Sequence, residues 1–416
     1  MTNRPHYLQF DAATSRARIG PHNAEFYQDP YAAYAFFHEA CPAFYWEEFG
    51  MWCFAGFDDV NRLLRDRTLG RENPDGPPAP QKSGEPRGHI VAFDGVEAHS
   101  LLEREPPVHT RLRTLINRAF VSRQVERLRP QIETLANRLI DGFEHQGTVD
   151  LLPAFATPIP VMIIADMLGI DHAMGPKLLE WSHDMVAMYM HGRTLETELK
   201  ANKAALEFSN FIRSESRSRI GTDRDDLLTL LATAGADGQR LSEDELISTA
   251  ILLLNAGHEA TVHQLGNGVK SILQSGLNPA ELFQSDASSV ATVEECIRFD
   301  APLHMFTRYL YQPLELANGV VIAAGQQIGL LLGAANRDPR SFAEPSQFKS
   351  DRTDQKNTSF GAGIHFCIGA PLARLEMQIA MKVLFNRLPN LRLAQQPCYR
   401  DSYHFHGLES LVLRWD

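Results

Sequence analysis

Apolar residues recur with a helical period through most of this chain. Behind Pro371 they fall at Leu372, Leu375, Ile379 and Val383, the i, i+3, i+7 and i+11 positions of one face, and Pro389 stops the run. Ser242-Glu243-Asp244-Glu245 is a capping box, so a helix starts there. Its period continues through Ile247, Ala250, Ile251, Leu254 and Thr261 to about Gln274. Asp58 to Leu69 reads as a helix, residues 150 to 219 as several, and another opens behind the pair Pro106-Pro107. Strand signals are fewer. Ala43-Phe44-Tyr45-Trp46 and Met51-Trp52-Cys53-Phe54 flank Glu47–Gly50, the pattern of an aromatic hairpin. The fold class expected is mainly α with a small β-rich region.

Three interruptions of this pattern point to function. Arg71 to Gly88 is dense in Pro and Gly and predicts a long irregular loop, a feature that inside a compact domain is usually functional or disordered, the functional reading being the better. Ala256-Gly257 puts small residues in the middle of the long helix. Glycine there costs about 1 kcal/mol relative to alanine, so the helix should leave room for something beside it. Trp181, Met185, Met188 and Met190, with His183 and His191 nearby, read equally well as core or as pocket.

Composition narrows the classes. The chain has 416 residues, 44% hydrophobic and 22% charged, as in ordinary globular proteins. Length alone would suggest two or three domains, but no Ser/Gly linker or compositional shift divides it. No apolar run reaches the roughly 18 residues of a membrane span, and Met1-Thr2-Asn3-Arg4-Pro5-His6 has neither signal nor anchor character; the expected location is the cytoplasm. The five cysteines are scattered without a C-x-x-C pair, which argues against zinc and against a disulfide framework. A net charge of -11 argues against nucleic acid as a partner.

The candidate chemistry lies in Phe360-Gly361-Ala362-Gly363-Ile364-His365-Phe366-Cys367-Ile368-Gly369. One cysteine sits in a glycine-rich turn directly before a helix, where unpaired N–H groups and the helix dipole favour thiolate. A thiolate so held is the proximal ligand that pushes electron density into haem iron. A lone intracellular cysteine is more commonly inert; the surrounding pattern decides between the two. Phe-x-x-Gly-x-His-x-Cys-x-Gly resembles the haem-binding loop of the cytochrome P450 superfamily, soluble bacterial type.

The resemblance implies one domain over residues 1–416, a haem b cofactor (iron protoporphyrin IX) and Cys367 as the iron ligand. It implies His365 as a propionate donor, Phe360 as the ring shielding the sulfur, and Gly369 as part of the loop. His109 and Arg113, four apart on one helix face, and Arg308 match further propionate partners. Asn255–Thr261 resembles the oxygen-binding groove, which normally reads small-Gly-x-acid-Thr. Glu259 keeps the acid and Thr261 follows, but Ala260 stands where the threonine is expected. Glu295, Arg298 and Arg352 resemble a buried structural triad that would hold the cysteine loop, and Ala335–Pro339 fits the pattern that follows a strand. Leu303, His304, Met305 and Phe306, and His404 and Phe405 near the C-terminus, become substrate-pocket candidates.

The activity implied is O2-dependent monooxygenation of a medium-sized, largely apolar organic substrate. Electrons would come from a ferredoxin and its NAD(P)H-dependent reductase. Arg111, Arg118, Arg123, Arg127 and Arg129 form a basic stretch able to steer such an acidic partner. Ala260 leaves a peroxide-driven or otherwise non-standard haem-thiolate enzyme as the alternative. A non-catalytic haem sensor ranks third, since the chain has no room for an output domain.

Overall fold

The computed structural model describes residues 4–74, 87–233 and 241–416. Residues 75–86 of the expected Pro/Gly loop lie outside the described residues, as does the side chain of Arg118. The longest helix, Glu243–Ser275, runs 33 residues through the helical part. It starts where the capping box places it: Ser242 Oγ accepts from Glu245 N at 3.1 Å, and the Glu245 carboxylate accepts from Ser242 N at 2.9 Å. These two bonds satisfy backbone donors that a helix start otherwise leaves open. Gly276 ends it at φ +74°.

Helices Pro158–Leu168, Gly175–Val186, Leu195–Ser218, Asp286–Phe299 and Ala370–Arg387 pack on that rod. The apolar positions foreseen on the last of them behave as expected, with Leu372, Leu375 and Ile379 buried and Val383 half-buried. Each fully buried Leu or Ile side chain contributes about 1.5–3 kcal/mol. Trp181 stacks on Phe208 at 5.0 Å and thereby joins Gly175–Val186 to Leu195–Ser218. Trp181, Met185 and Met188 are core residues, while Met190 is half-buried beside Ser402. Gly257 also has a packing reason: a Cβ there would lie 3.1–3.2 Å from the Ile164 side chain of Pro158–Leu168.

A seven-stranded sheet covers one side. The hairpin of Ala43–Trp46 and Met51–Phe54 forms with Tyr45 opposite Trp52 and turns at Gly50, φ +64°. Gln327–Leu331 pairs with Met51–Phe54 in parallel and with Met305–Leu310 in antiparallel register, and Leu69–Gly70 adds an edge. The helix expected over 58–69 is Phe57–Arg65. Asp66 ends it by accepting from Thr68 N at 2.8 Å, an Asx turn that releases Leu69 to pair with Leu310. An aromatic core with Phe37 stacked on Phe44 at 3.7 Å lies beneath the hairpin. No helix among the described residues is long and apolar enough to cross a membrane.

Candidate active site

The cysteine loop is shaped by two glycines and three backbone bonds. Gly361 and Gly363 have φ of +67° and +71°, conformations that side chains disfavour. A Cβ on Gly363 would also stand 2.5 Å from the Leu64 carbonyl oxygen, and one on Gly361 3.2 Å from the Phe306 ring. Gly361 N donates to Thr358 O at 2.8 Å, Phe366 N to Gly363 O at 3.2 Å, and Cys367 N to Phe360 O at 2.9 Å. Gly369, by contrast, has φ -80°, open to any residue; it is the cap from which Ala370–Arg387 starts.

The Cys367 thiol is accessible although protein surrounds it on the other sides. Burial pushes it up, while the N–H groups of Gly369 and Ala370 and the cations Arg113 and Arg374 pull it down. Those groups favour the thiolate wherever a metal takes the proton's place. Phe360 is half-buried, with the Arg374 guanidinium 4.5 Å from its ring centre.

Behind the loop stands an ionic brace. Arg298 grips Glu295 with two bonds of 2.7 Å, and Arg352 Nε reaches the same carboxylate at 3.1 Å. Their remaining N–H groups hold the carbonyls of Asn336, Ala343, Glu344, Pro345 and Gln347. The link from this brace to the cysteine loop is Asn336. It accepts from Thr358 N at 2.7 Å and donates to Ser359 Oγ at 2.7 Å.

His109, His365 and Arg308 converge, joined by Arg71 and Glu105. His365 Nε2 bonds Glu105 Oε1 at 2.9 Å, and the His109 and His365 rings lie 4.5 Å apart. His109 is buried with Nε2 unpartnered among the described residues; burial, His365 and Arg113 push its pKa down to about 4. Burial, with Arg71 beside it, pushes Arg308 down to about 10. Its guanidinium donates only to Thr307 O among the described residues. An unpaired buried guanidinium and an unpartnered imidazole suit an anionic group such as a haem carboxylate. Arg113 lies near both His109 and Cys367, close enough to shift each. Arg71 and Glu105 carry no sequence signal, being single charges in irregular chain.

The long helix presents Leu252, Ala256 and Ala260, one face at i, i+4 and i+8, as its accessible side, with Ala256 exposed in mid-helix. Glu259 points elsewhere. Its carboxylate meets His263 Nε2 at 3.1 Å, His258 Nε2 at 3.3 Å and His183 Nε2 at 3.4 Å. Burial alone would raise its pKa, but the three imidazoles hold it well below the usual carboxylate range. The Thr261 hydroxyl donates back to Gly257 O at 3.0 Å. His263, four residues beyond Glu259, went unread although the same-face spacing could have revealed it; His183 comes from another helix and gives no such signal.

His404 and Phe405 are half-buried, with their rings beside Tyr189 and His263. Burial and Arg71 push His404 down to about 4. Leu303 pairs through its backbone with Phe405. His304 and Met305, expected as pocket residues, are not. His304 is fully buried and bonded to the Tyr34 hydroxyl at 2.7 Å, and Met305 belongs to the aromatic core under the hairpin. Side chains alternate along a strand, so Phe306 points the other way, toward Gly361.

The model of the family Cytochrome P450 matches residues 290–402. The chain is 34% identical over 94% of its length, and 97% of the relative's, to the polyketide biosynthesis cytochrome P450 PksS of Bacillus subtilis. It is 34% identical, over 94% and 97%, to the 6-deoxyerythronolide B hydroxylase of Saccharopolyspora erythraea. A crystal structure of P450BioI in complex with hexadec-9Z-enoic acid ligated acyl carrier protein superposes with a TM-score of 0.87 at 30% identity, covering 94% of this chain and 100% of that one. Such proteins bind haem b through a cysteine thiolate and act as monooxygenases. On its sequence and its fold, this chain belongs to the cytochrome P450 superfamily.

Proposed function

We propose that Cys367 is the thiolate ligand of haem b and that this chain hydroxylates a medium-sized, largely apolar organic molecule carrying a hydroxyl or carbonyl. The whole chain acts as one haem domain in the cytoplasm, with electrons from a ferredoxin and its NAD(P)H-dependent reductase. The observation that carries this reading is the cysteine loop, whose two positive-φ glycines and Cys367–Phe360 bond hold an exposed Cys367 directly ahead of the helix Ala370–Arg387. The haem, when bound, supplies the oxygen chemistry. His109, His365, Arg308 and Arg113 would hold its carboxylates, and His404, Phe405 and Leu303 would line the substrate side. Relatives named for polyketide work, PksS and 6-deoxyerythronolide B hydroxylase, support a polyketide-like substrate.

Proton delivery is the unusual part. Ala260 has neither donor nor acceptor, the Thr261 hydroxyl is bonded to Gly257 O, and Glu259 is held by histidines. A hydroxyl or carbonyl of the substrate, with ordered water, therefore supplies what threonine would have. The same features favour the peroxide-driven alternative, which would turn over with hydrogen peroxide and no ferredoxin. The test is a screen of macrolide aglycones, fatty acids and acyl carrier protein thioesters by Soret shift of the purified holoprotein, followed by turnover of the hits. Absence of a haem Soret band on reconstitution would overturn the reading, and so would turnover with peroxide alone at the full reductase-supported rate.

A further inference from the structure

Glu259, His258 and His183 are arranged as ligands rather than as a hydrogen-bonded group. The distances from Glu259 Oε2 to the two Nε2 atoms, 3.3 and 3.4 Å, are longer than ordinary N–H···O bonds. They equal the edge of a tetrahedron whose bonds to zinc are about 2.0–2.1 Å, which is about 3.3–3.4 Å. His258 supplies a second, independent indication. Its Nδ1 bonds Leu254 O at 2.8 Å, and since a carbonyl only accepts, Nδ1 carries the proton. In the neutral form of that ring Nε2 is a bare lone pair, buried, without a hydrogen-bond partner among the described residues, and facing a carboxylate oxygen. Two lone pairs so placed repel unless a cation lies between them. A backbone carbonyl fixing the far nitrogen is also what metal-bound histidines ordinarily have.

We propose that His183, His258 and Glu259 form a site for a divalent transition metal of the zinc type, with a fourth position open to water. It uses no cysteine, which is why the cysteine spacing gave no sign of it. His263 Nε2 holds the other carboxylate oxygen at 3.1 Å and so orients Glu259. The His183 side chain is 53% exposed, which gives a metal its way in. An occupied site ties Gly175–Val186 to the long helix one residue from Ala260, so it stiffens that junction and withdraws Glu259 from proton traffic. The site is independent of which substrate the enzyme oxidises.

The experiment is calorimetric titration of chelator-treated holoprotein with zinc chloride. Wild type is expected to bind one zinc per chain at micromolar or lower concentration, and His183→Ala to lose at least 30-fold in affinity. His172→Ala, which removes another accessible histidine outside the cluster, should bind as wild type does. His258→Gln serves as the second variant, with the reduced carbon monoxide spectrum reporting that the haem protein is folded. A zinc-edge anomalous peak between the three ligand atoms would locate the ion. Undiminished binding in His183→Ala, or no stoichiometric binding by wild type at 100-fold excess zinc, overturns the proposal; the cluster would then be an imidazolium–carboxylate group with a doubly protonated His258.

Discussion

The backbone N–H of Cys367 donates to the carbonyl of Phe360 at 2.9 Å, so the two residues that bracket the cysteine loop fix each other. Everything between them must fit inside that closure, and Gly363 is its tightest point. Gly363→Ala combines a disfavoured φ with a Cβ 2.5 Å from a backbone oxygen. The strain alone is about 1–3 kcal/mol. The expected outcome is a lower melting temperature and reduced haem incorporation, whereas Gly369→Ala, with ordinary φ, should keep most of both. Cys367→Ser should lose the red-shifted Soret band of the reduced carbon monoxide complex. Retention of that band would remove Cys367 as the ligand.

The ionic brace predicts a contrast between two neighbouring glutamates. Glu295→Gln strips the carboxylate from a network whose members are almost wholly buried, a loss of about 3–5 kcal/mol. Glu294→Gln loosens the pair with the more accessible Arg374 and the bond from Asn357 Nδ2 at 3.2 Å, and should cost less than Glu295→Gln. Urea denaturation of both holoproteins measures the difference, and equal midpoints would refute the bracing role.

Ala260→Thr tests the proton route. Wild type should couple NADH to product well with a substrate that bears the polar group and poorly with its deoxy analogue, releasing peroxide instead. The threonine variant should raise coupling on the analogue several-fold. High, equal coupling of wild type on both compounds would exclude a substrate-assisted route and leave ordered water.

The docking of a ferredoxin is testable at Arg123. Glu245 engages Arg111 and Glu126 engages Arg129, so both cations are partly neutralised within the chain. Arg123 is exposed. Arg123→Glu should slow reduction by an acidic ferredoxin several-fold at low salt and little at high salt, because exposed charges are screened over about 8–10 Å at moderate ionic strength. Unchanged stopped-flow reduction at low salt would move the docking site elsewhere.

Stability should fall with pH because of Glu376. Burial pushes this carboxyl up to about 8 from its ordinary 4.5, and its Oε1 has no partner among the described residues. The folded state therefore keeps a proton that the unfolded chain releases above pH 4.5. The contribution is complete below that pH and is lost as pH rises toward 8, at a limiting slope of about 1.4 kcal/mol per pH unit. Glu376→Gln stays neutral throughout, so its stability curve should be flatter between pH 5 and 8. Parallel curves for the two proteins would show that Glu376 ionises normally in the fold.

Much of this was legible in the chain because the signals were local. The capping box at Ser242 and Glu245 places a helix start to the residue, and the cysteine pattern specifies a loop without tertiary context. Met305 was misread because the face of a strand residue depends on register, which Ile328 opposite Arg308 sets from across the sheet, and His304, just ahead of that strand, because its partner Tyr34 is distant in sequence. Arg71, Glu105 and Asn336 were missed as partners for a related reason. Each acts through a contact distant in sequence, and a single charged or amide residue in irregular chain has no period to reveal it. Gly257 was read correctly as a space-maker, though the space belongs to Ile164.

The contact of Gly363 with the Leu64 carbonyl has a consequence for biogenesis. The loop meant for the iron takes its seat on an element translated well before it, and the Val412–Arg414 strand likewise pairs with the far earlier Thr148–Asp150. The cofactor thus meets a finished ligand set only after the cysteine loop has been made, and ribosome-stalled chains that stop short of Cys367 should remain colourless however well the preceding sheet has formed.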